Sequence, residues 1–480
     1  MTRSDIGQAV DVDVVVVGAG GCGLAAALAV AEHGASVAVL EKTDAPGGNT
    51  ALSTGSIPAA GSRYQAAAGI VDSPQQMTAD LLRQSGTHEA QGLVAVLAAD
   101  SASLVEWLVE DHRVDLRLVT DYKHVGHSVE RLHAPPDRRG ASLMKDLLAA
   151  TQRSGVDIAV GNPVAGLVVE HGEVVGVVVD GPRCGRYEIS CRSVVLAGNG
   201  FGNDRSMLEA WIPEVAGAQY FGAEGSTGES VRWCLDLGAQ PGNMGAYQGY
   251  ATVAYPHGSI VSWTTVEKGG VILSPEGERM GDETLGYSGF TEVVSAHATE
   301  SHVVMDTRIR DYVSSHEPEF ADLVAIGGVA EAADVGEVAL RIGASADAVG
   351  ETLSRYQAAA RGGPVDEHGR TDFGMAPLQA PYCVVRAVPA IFHTQGGARV
   401  DDEGRVVRSD GSPIPGLYAG GGVTAGLSGA AGAAGYSSGN GLLSAIGLGR
   451  IAGAAAARRS RGAVEAASPC TSPRSRQQPR

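Results

Sequence analysis

A short glycine-rich turn near the amino terminus carries the first chemistry that the sequence offers. Residues 18–23 read G-A-G-G-C-G and match the spacing G-x-G-x-x-G, which lets backbone amides approach a diphosphate. A glycine-rich chain can produce this pattern by chance. Here it lies between the apolar run Val12–Val17 and the Ala-rich run Leu24–Glu32, the strand and helix that such a site requires. The turn therefore predicts a dinucleotide site at its four glycines, Gly18, Gly20, Gly21 and Gly23.

An acidic residue follows at the distance that a nucleotide ribose requires. Ser36–Leu40 reads as the second strand, and Glu41 ends it, where a carboxylate accepts hydrogen bonds from ribose hydroxyls. Small and hydroxyl residues come next, where a nicotinamide-binding domain would continue into its next helix. They indicate a longer ligand lying along an extended segment, and FAD fits this better than NAD. The predicted contacts in this segment are Gly47, Gly48, Asn49, Thr50 and Ser53.

The composition limits the partners of the chain. Its 480 residues suggest two or three structural units. Lys and Arg number 36 against 54 Asp and Glu, a net charge of −18, which disfavours nucleic acid and anionic membranes. The first 13 residues lack the apolar core of a signal peptide, and the uncharged stretch 416–449 is too rich in glycine for a lipid-facing helix. We therefore expect a cytoplasmic protein with no nucleic-acid partner and no membrane insertion.

The texture of the sequence changes along the chain. Two apolar runs, Val164–Glu170 and Val174–Asp180, predict a hairpin, and Ser193–Ala197 predicts a further buried strand. From about residue 245 to 374, the regular alternation of predicted strands and helices stops. Aromatic residues, turns and charged helices such as Ser301–Ser315 take its place. This change indicates a second, inserted domain. The Ser/Pro/Arg-rich end, residues 460–480, is typical of a disordered tail.

Several motifs together point to a known family. Beside the turn and Glu41-Lys42, they lie in the segments 47–53, 195–202, 393–397 and 416–420. Together they resemble the flavoprotein superfamily of fumarate reductase and succinate dehydrogenase, which also contains 3-ketosteroid dehydrogenases and tricarballylate dehydrogenase. The resemblance extends to about residue 457 and implies FAD as cofactor.

The resemblance also implies a fold. We expect an α/β protein with a Rossmann-type FAD-binding domain, built on a parallel sheet and interrupted by an α+β capping domain, with the active site between the two. The predicted limits are 1–244 and 375–459 for the FAD-binding domain, 245–374 for the capping domain and 460–480 for the tail.

Further cofactor contacts are implied by the family motifs. Val164 would contact the adenine side through its backbone, and the segment Gly439–Leu442 would contact the flavin ring. Besides Val164, the contacts predicted in this way are Lys42, Ala197, Gly198, Gly421 and Gly422, together with Asn440, Gly441 and Leu442 of that segment.

The sequence also departs from the fumarate reductase pattern. Gly422 stands where those enzymes usually place the Glu that holds the ribityl chain, and residues 428–436 contain no Arg to bind a substrate carboxylate. In those enzymes the proton-donating Arg belongs to an Arg-Asp dipeptide, and residues 277–287 contain no such dipeptide. Because a buried dicarboxylate needs arginine partners, these losses favour a neutral or singly charged carbonyl substrate.

Three residues are candidates for catalysis. Family chemistry moves a hydride between flavin N5 and the carbon β to a carbonyl, and a proton to or from the α carbon. A Tyr in the position of Tyr287 is the acid/base of ketosteroid dehydrogenases, so Tyr287 is either that group or a packing residue. His393 either hydrogen-bonds a substrate oxygen or is satisfied within the domain junction. Tyr436 is either structural or a donor to an enolate.

The predicted function is an FAD-dependent oxidoreductase that forms or reduces a C=C bond beside a carbonyl, a ketosteroid-dehydrogenase-like flavoprotein with an unidentified electron donor or acceptor. One alternative is a fumarate-reductase-like enzyme acting on a small unsaturated carboxylate, with Arg131 or Arg279 as anion clamp. A second, of another class, is a flavin-binding electron-transfer subunit without a substrate of its own. His124, His127 and His133 resemble a metal cluster, but no Cys or carboxylate completes the spacing, and a loop lining the pocket explains them equally.

Overall fold

The computed structural model describes residues 10–121, 123–182 and 185–467. Within them the chain builds two large sheets, each with its own apolar core. The first core collects residues from both ends of the chain, and the second collects residues between Tyr250 and Ala390. The predicted α/β fold with an inserted α+β unit is therefore confirmed.

The first sheet has eight strands, and its centre is parallel. Val10–Val17 pairs in parallel with Val37–Leu40 on one side and with Gly185–Leu196 on the other. Val14, Val15 and Val16 have no exposed surface, as expected of a strand covered on both faces. The strand order is Arg405–Val407, Pro413–Ala419, Gly185–Leu196, Val10–Val17, Val37–Leu40 and Ile158–Ala159, with the hairpin Val164–Glu170 and Glu173–Gly181 attached to Gly185–Leu196.

The second sheet has seven strands and is mainly antiparallel. Its longest strand, Tyr382–Thr394, pairs with Gly245–Ala254 and with Ser301–Asp306. The other members are Val271–Leu273, Ala431–Gly432, Gln219–Tyr220 and Ala330–Ala332. Tyr382–Thr394 lies beyond residue 374, where we expected the capping domain to end, because this single strand runs from the second core into the first. The domain limits remain a prediction.

Two smaller sheets complete the strands described. One contains Ile57–Pro58, Leu132–Ala134 and Arg117–Leu118, and the other pairs Pro241–Gly242 with Gly397–Ala398.

Helices cover both large sheets. The α-helices are Gly21–Glu32, Gly48–Leu52, Arg63–Ala67, Pro74–Ser85, Gln91–Glu106, Gly140–Arg153, Arg205–Trp211, Glu229–Asp236, Thr264–Glu267, Gly286–His297, Thr307–His316, Pro318–Ala325, Val335–Ile342, Ala346–Ala360 and Asn440–Ala467. A π-helical turn is formed by Trp107–Asp111, and 3₁₀ turns by Pro213–Val215, Glu283–Leu285 and Gly421–Val423. We call Gly21–Glu32 the nucleotide helix, Gly286–His297 the cap helix and Asn440–Ala467 the terminal helix.

Glycine allows the nucleotide and terminal helices to pack closely. A Cβ on Gly453 of the terminal helix would lie 2.8 Å from the Cα of Ala26 in the nucleotide helix, closer than packed carbon atoms approach. A Cβ on Gly449 would likewise overlap the Cys22 carbonyl oxygen, so the middle of the terminal helix lies against the first turns of the nucleotide helix.

The terminal helix corrects the predicted tail. We expected disorder from residue 460, but the helix continues to Ala467, and Ser460 is buried with its hydroxyl donating to the carbonyl of Ala456. Apolar alanines on the preceding turns extend the packed helix beyond the Arg/Ser-rich start of the tail. Residues 468–480 lie outside the described part.

One described helix passes a simple test of length and apolarity for crossing a membrane. This is Gln91–Asp111, and half of its most apolar stretch is buried inside the molecule. A core helix of a folded domain passes the same test.

Candidate active site between the two sheets

The glycine turn has the close packing that its sequence predicts. Gly18 adopts φ +104°, and a Cβ there would lie 2.6 Å from the carbonyl oxygen of Ala197. A Cβ on Gly23 would overlap the carbonyl oxygen of Gly18. The nucleotide helix therefore begins directly against the strand, and its N-cap residue, Gly20, has no side chain to cap the first turn. Such a helix end presents free N–H groups and the positive end of the helix dipole.

The predicted extended segment lies against this turn. A Cβ on Gly20 would lie 3.6 Å from the carbonyl oxygen of Gly47, and one on Gly48 would lie 3.8 Å from the Cα of Gly20. The Gly21 N–H donates to Thr50 Oγ1 over 3.1 Å. The structure thus brings the two glycine segments together with bare backbone between them, and this cradle suits a diphosphate.

Glu41 lies at the edge of the cradle. Its carboxylate accepts from the N–H groups of Ala19 (2.8 Å) and Thr43 (2.9 Å), and it remains partly exposed. A carboxylate has about four acceptor positions, so Glu41 can accept ribose hydroxyls as well. Val164 lies nearby, because the N–H of Asn162 donates to the Glu41 carbonyl over 2.8 Å.

Three of the predicted cofactor contacts already have partners within the protein. The Lys42 ammonium pairs with Glu229 at 3.1 Å and donates to Thr227. The Asn49 amide oxygen accepts from the N–H of Ala223 over 2.6 Å. The Ser53 hydroxyl donates to the Thr50 carbonyl over 2.8 Å. Cofactor contacts through these three side chains remain predictions.

Gly422 has a structural reason to lack a side chain. The Val17 carbonyl accepts from the N–H of Ala197 over 2.8 Å, and the chain then turns through Gly198 and Asn199. A Cβ on Gly422 would overlap the Asn199 amide oxygen and would lie 2.7 Å from the N–H nitrogen of Gly200. Together with Gly421, at φ +61°, Gly422 brings bare backbone to the end of the parallel strands. Asn199 thus fills the space that a side chain at position 422 would enter.

The first residue of the terminal helix tests whether FAD fits. The side chain of Asn440 is buried, at 1% exposure, and neither its amide nitrogen nor its amide oxygen has a hydrogen-bond partner among the described residues. Buried polar atoms without partners are costly. The amide offers one donor and one acceptor next to Gly441 and Leu442, as the edge of a flavin requires. The cradle and this amide together fit FAD.

The three predicted catalytic residues lie together. The cap helix carries Tyr287, and the loop before the terminal helix carries Tyr436, with ring centroids 5.7 Å apart in an edge-to-face arrangement. His393 lies nearby, because its chain neighbour Phe392 stacks on Tyr250, which stacks on Tyr287. A Cβ on Gly441 would lie 3.4 Å from His393 Nε2. All three side chains are half-buried. They lie where the cap helix and the second sheet meet the loop before the terminal helix, and we call this place the cleft.

Burial sets the protonation of these groups at neutral pH. It raises the pKa of Tyr287 well above its usual range, and the contact with Tyr436 raises it further. Burial also raises the pKa of Tyr436, although hydrogen bonds with Tyr287 and Gln248 oppose the shift. The pKa of His393 is lowered by burial. Two protonated hydroxyls and a neutral imidazole thus face the cleft.

Gln248 belongs to this group, and the sequence analysis missed it. The antiparallel register places Gln248 opposite His393, and its amide oxygen lies 2.6 Å from His393 Nε2. The same amide is near enough to Tyr436 to oppose the rise in the pKa of its hydroxyl. A polar residue between Tyr247 and Tyr250 in a buried strand is the signal that could have found it. We name Tyr287, Tyr436, His393 and Gln248 the hydroxyl cluster.

Aromatic rings form the adjoining wall of the cleft. Tyr250 stacks on Tyr287 with centroids 4.9 Å apart and on Phe392 at 5.4 Å. Its hydroxyl is turned away, because it accepts from the Trp263 N–H over 3.0 Å and donates to the Val261 carbonyl. Tyr250 therefore contributes a flat apolar surface without acid/base function.

Neither arginine suggested as an anion clamp is available, which corrects that prediction. Arg131 is buried and bonds both oxygens of Asp72, at 2.8 and 2.9 Å, as well as Asp80 at 2.9 Å. Arg279 is buried between Glu283 and Asp366. Each guanidinium already neutralises buried carboxylates, so it cannot leave them to bind a substrate without a large cost.

The three histidines do not form a metal site. Among the described residues no group of three or more His, Cys, Asp or Glu side chains is arranged to hold a metal ion. His133 Nε2 lies 3.0 Å from the Ser62 hydroxyl, and His124 Nε2 lies 3.1 Å from Arg138. His127 contacts the loop that carries Tyr436.

Comparison with known proteins agrees with this geometry. The FAD binding domain family matches residues 13–438. The NADH:fumarate oxidoreductase of Klebsiella pneumoniae is 29% identical over 454 residues, which cover 94% of this chain and 48% of that protein, so the chain spans about half of its length. A flavocytochrome c3 fumarate reductase in an open conformation superposes with a TM-score of 0.80 at 27% identity, over 95% of this chain and 79% of that one.

A second solved structure is similar over its whole length. The 3-ketosteroid-Δ4-(5α)-dehydrogenase of Rhodococcus jostii, in complex with 4-androstene-3,17-dione, superposes with a TM-score of 0.76 at 25% identity, covering 95% of this chain and 99% of that one. The chain therefore belongs to the FAD binding domain family and is an FAD-dependent oxidoreductase.

Proposed function

We propose that the enzyme forms or reduces the C=C bond beside the carbonyl of a neutral, apolar substrate, as a ketosteroid dehydrogenase does. The observation that carries the proposal is the hydroxyl cluster, in which tyrosines from the cap helix and from the FAD-domain loop meet beside an aromatic wall. A carbonyl substrate needs a proton carrier at its α carbon and a donor at its oxygen, and the cluster supplies both.

The charge of the cleft supports a neutral substrate. Within the described part, the hydrogen bonds of the hydroxyl cluster connect neutral groups, such as His393 to Gln248. Arg131 and Arg279, which could have bound a carboxylate, are held by buried acids. A substrate dianion entering such a cleft would lose its hydration without gaining a cation.

The two tyrosines would have separate tasks. When bound, FAD would supply the hydride chemistry at the β carbon. Tyr287, whose raised pKa keeps it protonated at neutral pH, would give its proton to the α carbon during C=C reduction. In the direction of C=C formation, Tyr287 would first have to lose this proton to solvent and would then accept the proton of the α carbon. Tyr436 would donate a hydrogen bond to the carbonyl oxygen, assisted by the neutral His393 and oriented by Gln248.

Fumarate-like reduction of a small carboxylate is the main alternative, and a relative's name favours it. The similar protein of Klebsiella pneumoniae is an NADH:fumarate oxidoreductase. Such an activity would need a cation in the cleft other than Arg131 and Arg279. A flavin-binding electron-transfer subunit is less well supported, because the inserted domain places Tyr287 beside Tyr436 of the FAD-binding domain. An inserted domain of this kind would serve to exclude water from chemistry at the flavin.

The direct test is to offer both substrate classes to the purified FAD-loaded protein. The chemically reduced protein is mixed without oxygen with 4-androstene-3,17-dione or with fumarate, and the oxidised protein with the corresponding saturated compounds, while the flavin absorbance is followed. We expect a change with the ketosteroid pair only. A change driven only by the dicarboxylate pair would overturn the proposal, and no change with either pair would favour the electron-transfer alternative. The electron partner and the cytoplasmic location remain proposals.

A further inference from the structure

The loop that carries Tyr436 is hydrogen-bonded to, and packed against, a separate segment of the FAD-binding domain, His124–Ser128. The Ser438 N–H donates to the Val125 carbonyl over 3.0 Å, and the Ser438 carbonyl lies 2.8 Å from His127 Nε2. Gly126, at φ +83°, packs so closely on Ser437 that a Cβ would overlap it. Both backbone polar groups of Ser438 are thus taken by this segment.

The environment of His127 fixes its tautomer. Arg131 Nη1 lies 3.2 Å from His127 Nδ1, and a guanidinium can only donate. Nδ1 therefore accepts, the single proton of the neutral ring is on Nε2, and Nε2–H donates to the Ser438 carbonyl. Burial lowers the pKa of His127 to about 4, and the Arg131 charge acts in the same direction, so the ring is neutral at pH 7.

Arg131 in turn cannot move. Asp72 binds it with two hydrogen bonds of 2.8 and 2.9 Å, and Asp80 binds it at 2.9 Å. The side chains of Arg131 and Asp72 have no exposed surface, and that of Asp80 has 3%. Asp80 is itself held by the N–H and hydroxyl of Ser128. His127 is therefore held in place by a rigid, buried group of ion pairs. We call this group, Arg131 with Asp72 and Asp80, the ionic support.

Ser438 connects this support to the hydroxyl cluster. It lies two residues after Tyr436, whose ring meets that of Tyr287 at 5.7 Å. The Ser438 hydroxyl is also near enough to Tyr287 to oppose the rise in the pKa of that tyrosine. We infer that His127 is a positioning residue, which fixes Ser438 and through it the meeting of the Tyr287 and Tyr436 hydroxyls. This role rests on the proposed function, because it concerns the acid/base step of that reaction.

The test compares His127→Phe with His127→Gln in the full-length, FAD-loaded protein, using 4-androstene-3,17-dione as probe. Phe keeps a ring but cannot donate to the Ser438 carbonyl, whereas the Gln amide places a donor near the position of Nε2. We expect His127→Phe to lower kcat by about tenfold to 100-fold, as small misplacements of catalytic groups do, with KM and FAD content unchanged. His127→Gln should restore most of the loss.

Two further measurements identify the route of the effect. In a Tyr287→Phe background, His127→Phe should cause no additional loss. Fluorine NMR of fluorotyrosine-labelled protein, with signals assigned by Tyr287→Phe and Tyr436→Phe, should show both resonances shifted by His127→Phe and not by His127→Gln. Ser438→Ala, which keeps the backbone bond and removes the hydroxyl, should shift the Tyr287 resonance and provides the test if His127→Phe does not fold.

The outcomes separate the two proposals. If Tyr287→Phe abolishes turnover while His127→Phe leaves kcat and both resonances unchanged, the role of His127 is wrong and the proposed function stands. If His127→Phe lowers activity equally with and without the Tyr287 hydroxyl, or only by reducing FAD content, its role is merely structural and the inference is overturned. If Tyr287→Phe retains full turnover, the proposed function itself has failed.

Discussion

Replacing Tyr287 by Phe removes one hydroxyl from the hydroxyl cluster and leaves the ring in place. The ring stacks on Tyr250 at 4.9 Å and meets Tyr436 edge-on at 5.7 Å, and Phe can keep both contacts. The change therefore isolates the proton-carrying role from packing.

The expected size of the effect follows from that role. Loss of a positioned acid/base lowers a rate by roughly 100-fold to 10,000-fold. Since each tenfold change in rate corresponds to about 1.4 kcal/mol, the Tyr287 hydroxyl should be worth at least about 2.7 kcal/mol in the transition state. Loss of one half-buried hydroxyl next to Tyr436 in the resting enzyme should cost only about 1 kcal/mol of stability.

The assay is a rapid-mixing measurement of flavin absorbance with 4-androstene-3,17-dione, at saturating substrate and matched FAD content. Tyr250→Phe is the matched control, because it removes a neighbouring hydroxyl that bonds only backbone groups. We expect Tyr250→Phe to lower stability while the rate stays near that of the parent. Equal rates for Tyr287→Phe and the parent would refute the acid/base assignment.

Three other predictions concern pH, the cofactor cradle and the buried arginine. Because Tyr287 must lose its proton to act as a base and its pKa is raised, the rate of C=C formation should rise about tenfold per pH unit from pH 7 towards pH 10, whereas C=C reduction should stay flat there; a plateau of C=C formation near pH 8 would contradict this. Gly23→Ala should abolish FAD retention, since its Cβ would overlap the Gly18 carbonyl; Gly92→Ala, with open space around it, is the control in a cofactor-content measurement. Arg279→Met should cost about 3–5 kcal/mol in urea unfolding, since it strands buried Glu283 and Asp366, while the exposed Arg355→Met should cost little. A changed ratio of ketosteroid to fumarate activity in Arg279→Met would show that Arg279 contacts substrate after all.

Much of the fold could be predicted because local and global preferences agree in the FAD-binding domain. The valine-rich run before Gly18 forms a buried strand, and the two runs that begin at Val164 and Val174 pair as the predicted hairpin. The inserted domain was harder. We predicted a helix over Ser301–Ser315, but Ser301–Asp306 is a central strand and the helix begins at Thr307. Asp306 causes the switch, because its carboxylate accepts the N–H of Ile309 and caps the helix.

Site residues could be predicted from the sequence where the backbone geometry requires glycine. They could not be predicted where the role of a long side chain depends on hydrogen-bond partners that are distant in sequence. Gly18 and Gly23 were identified because no other residue fits their positions. Arg131 and Arg279 were misread as anion clamps, since their carboxylate partners are up to 87 residues away in sequence. Gln248 was missed for the same reason, because its partner His393 is 145 residues further along the chain.

The departures from the fumarate reductase pattern therefore have a common physical meaning. Asn199 occupies the space beside Gly422, and the buried arginines are committed to Asp and Glu partners. The hydroxyl cluster itself, within the described residues, consists of hydroxyls, an amide and a neutral imidazole. Groups of this kind stabilise charge that develops on a carbonyl oxygen during a reaction, but they do not compensate a full negative charge carried in by the substrate. Selection between a carbonyl and a dicarboxylate would then be made at entry to the cleft, by the cost of removing water from the anion. A dicarboxylate should accordingly bind weakly as well as react slowly, whereas a neutral enone of similar size should bind without that penalty.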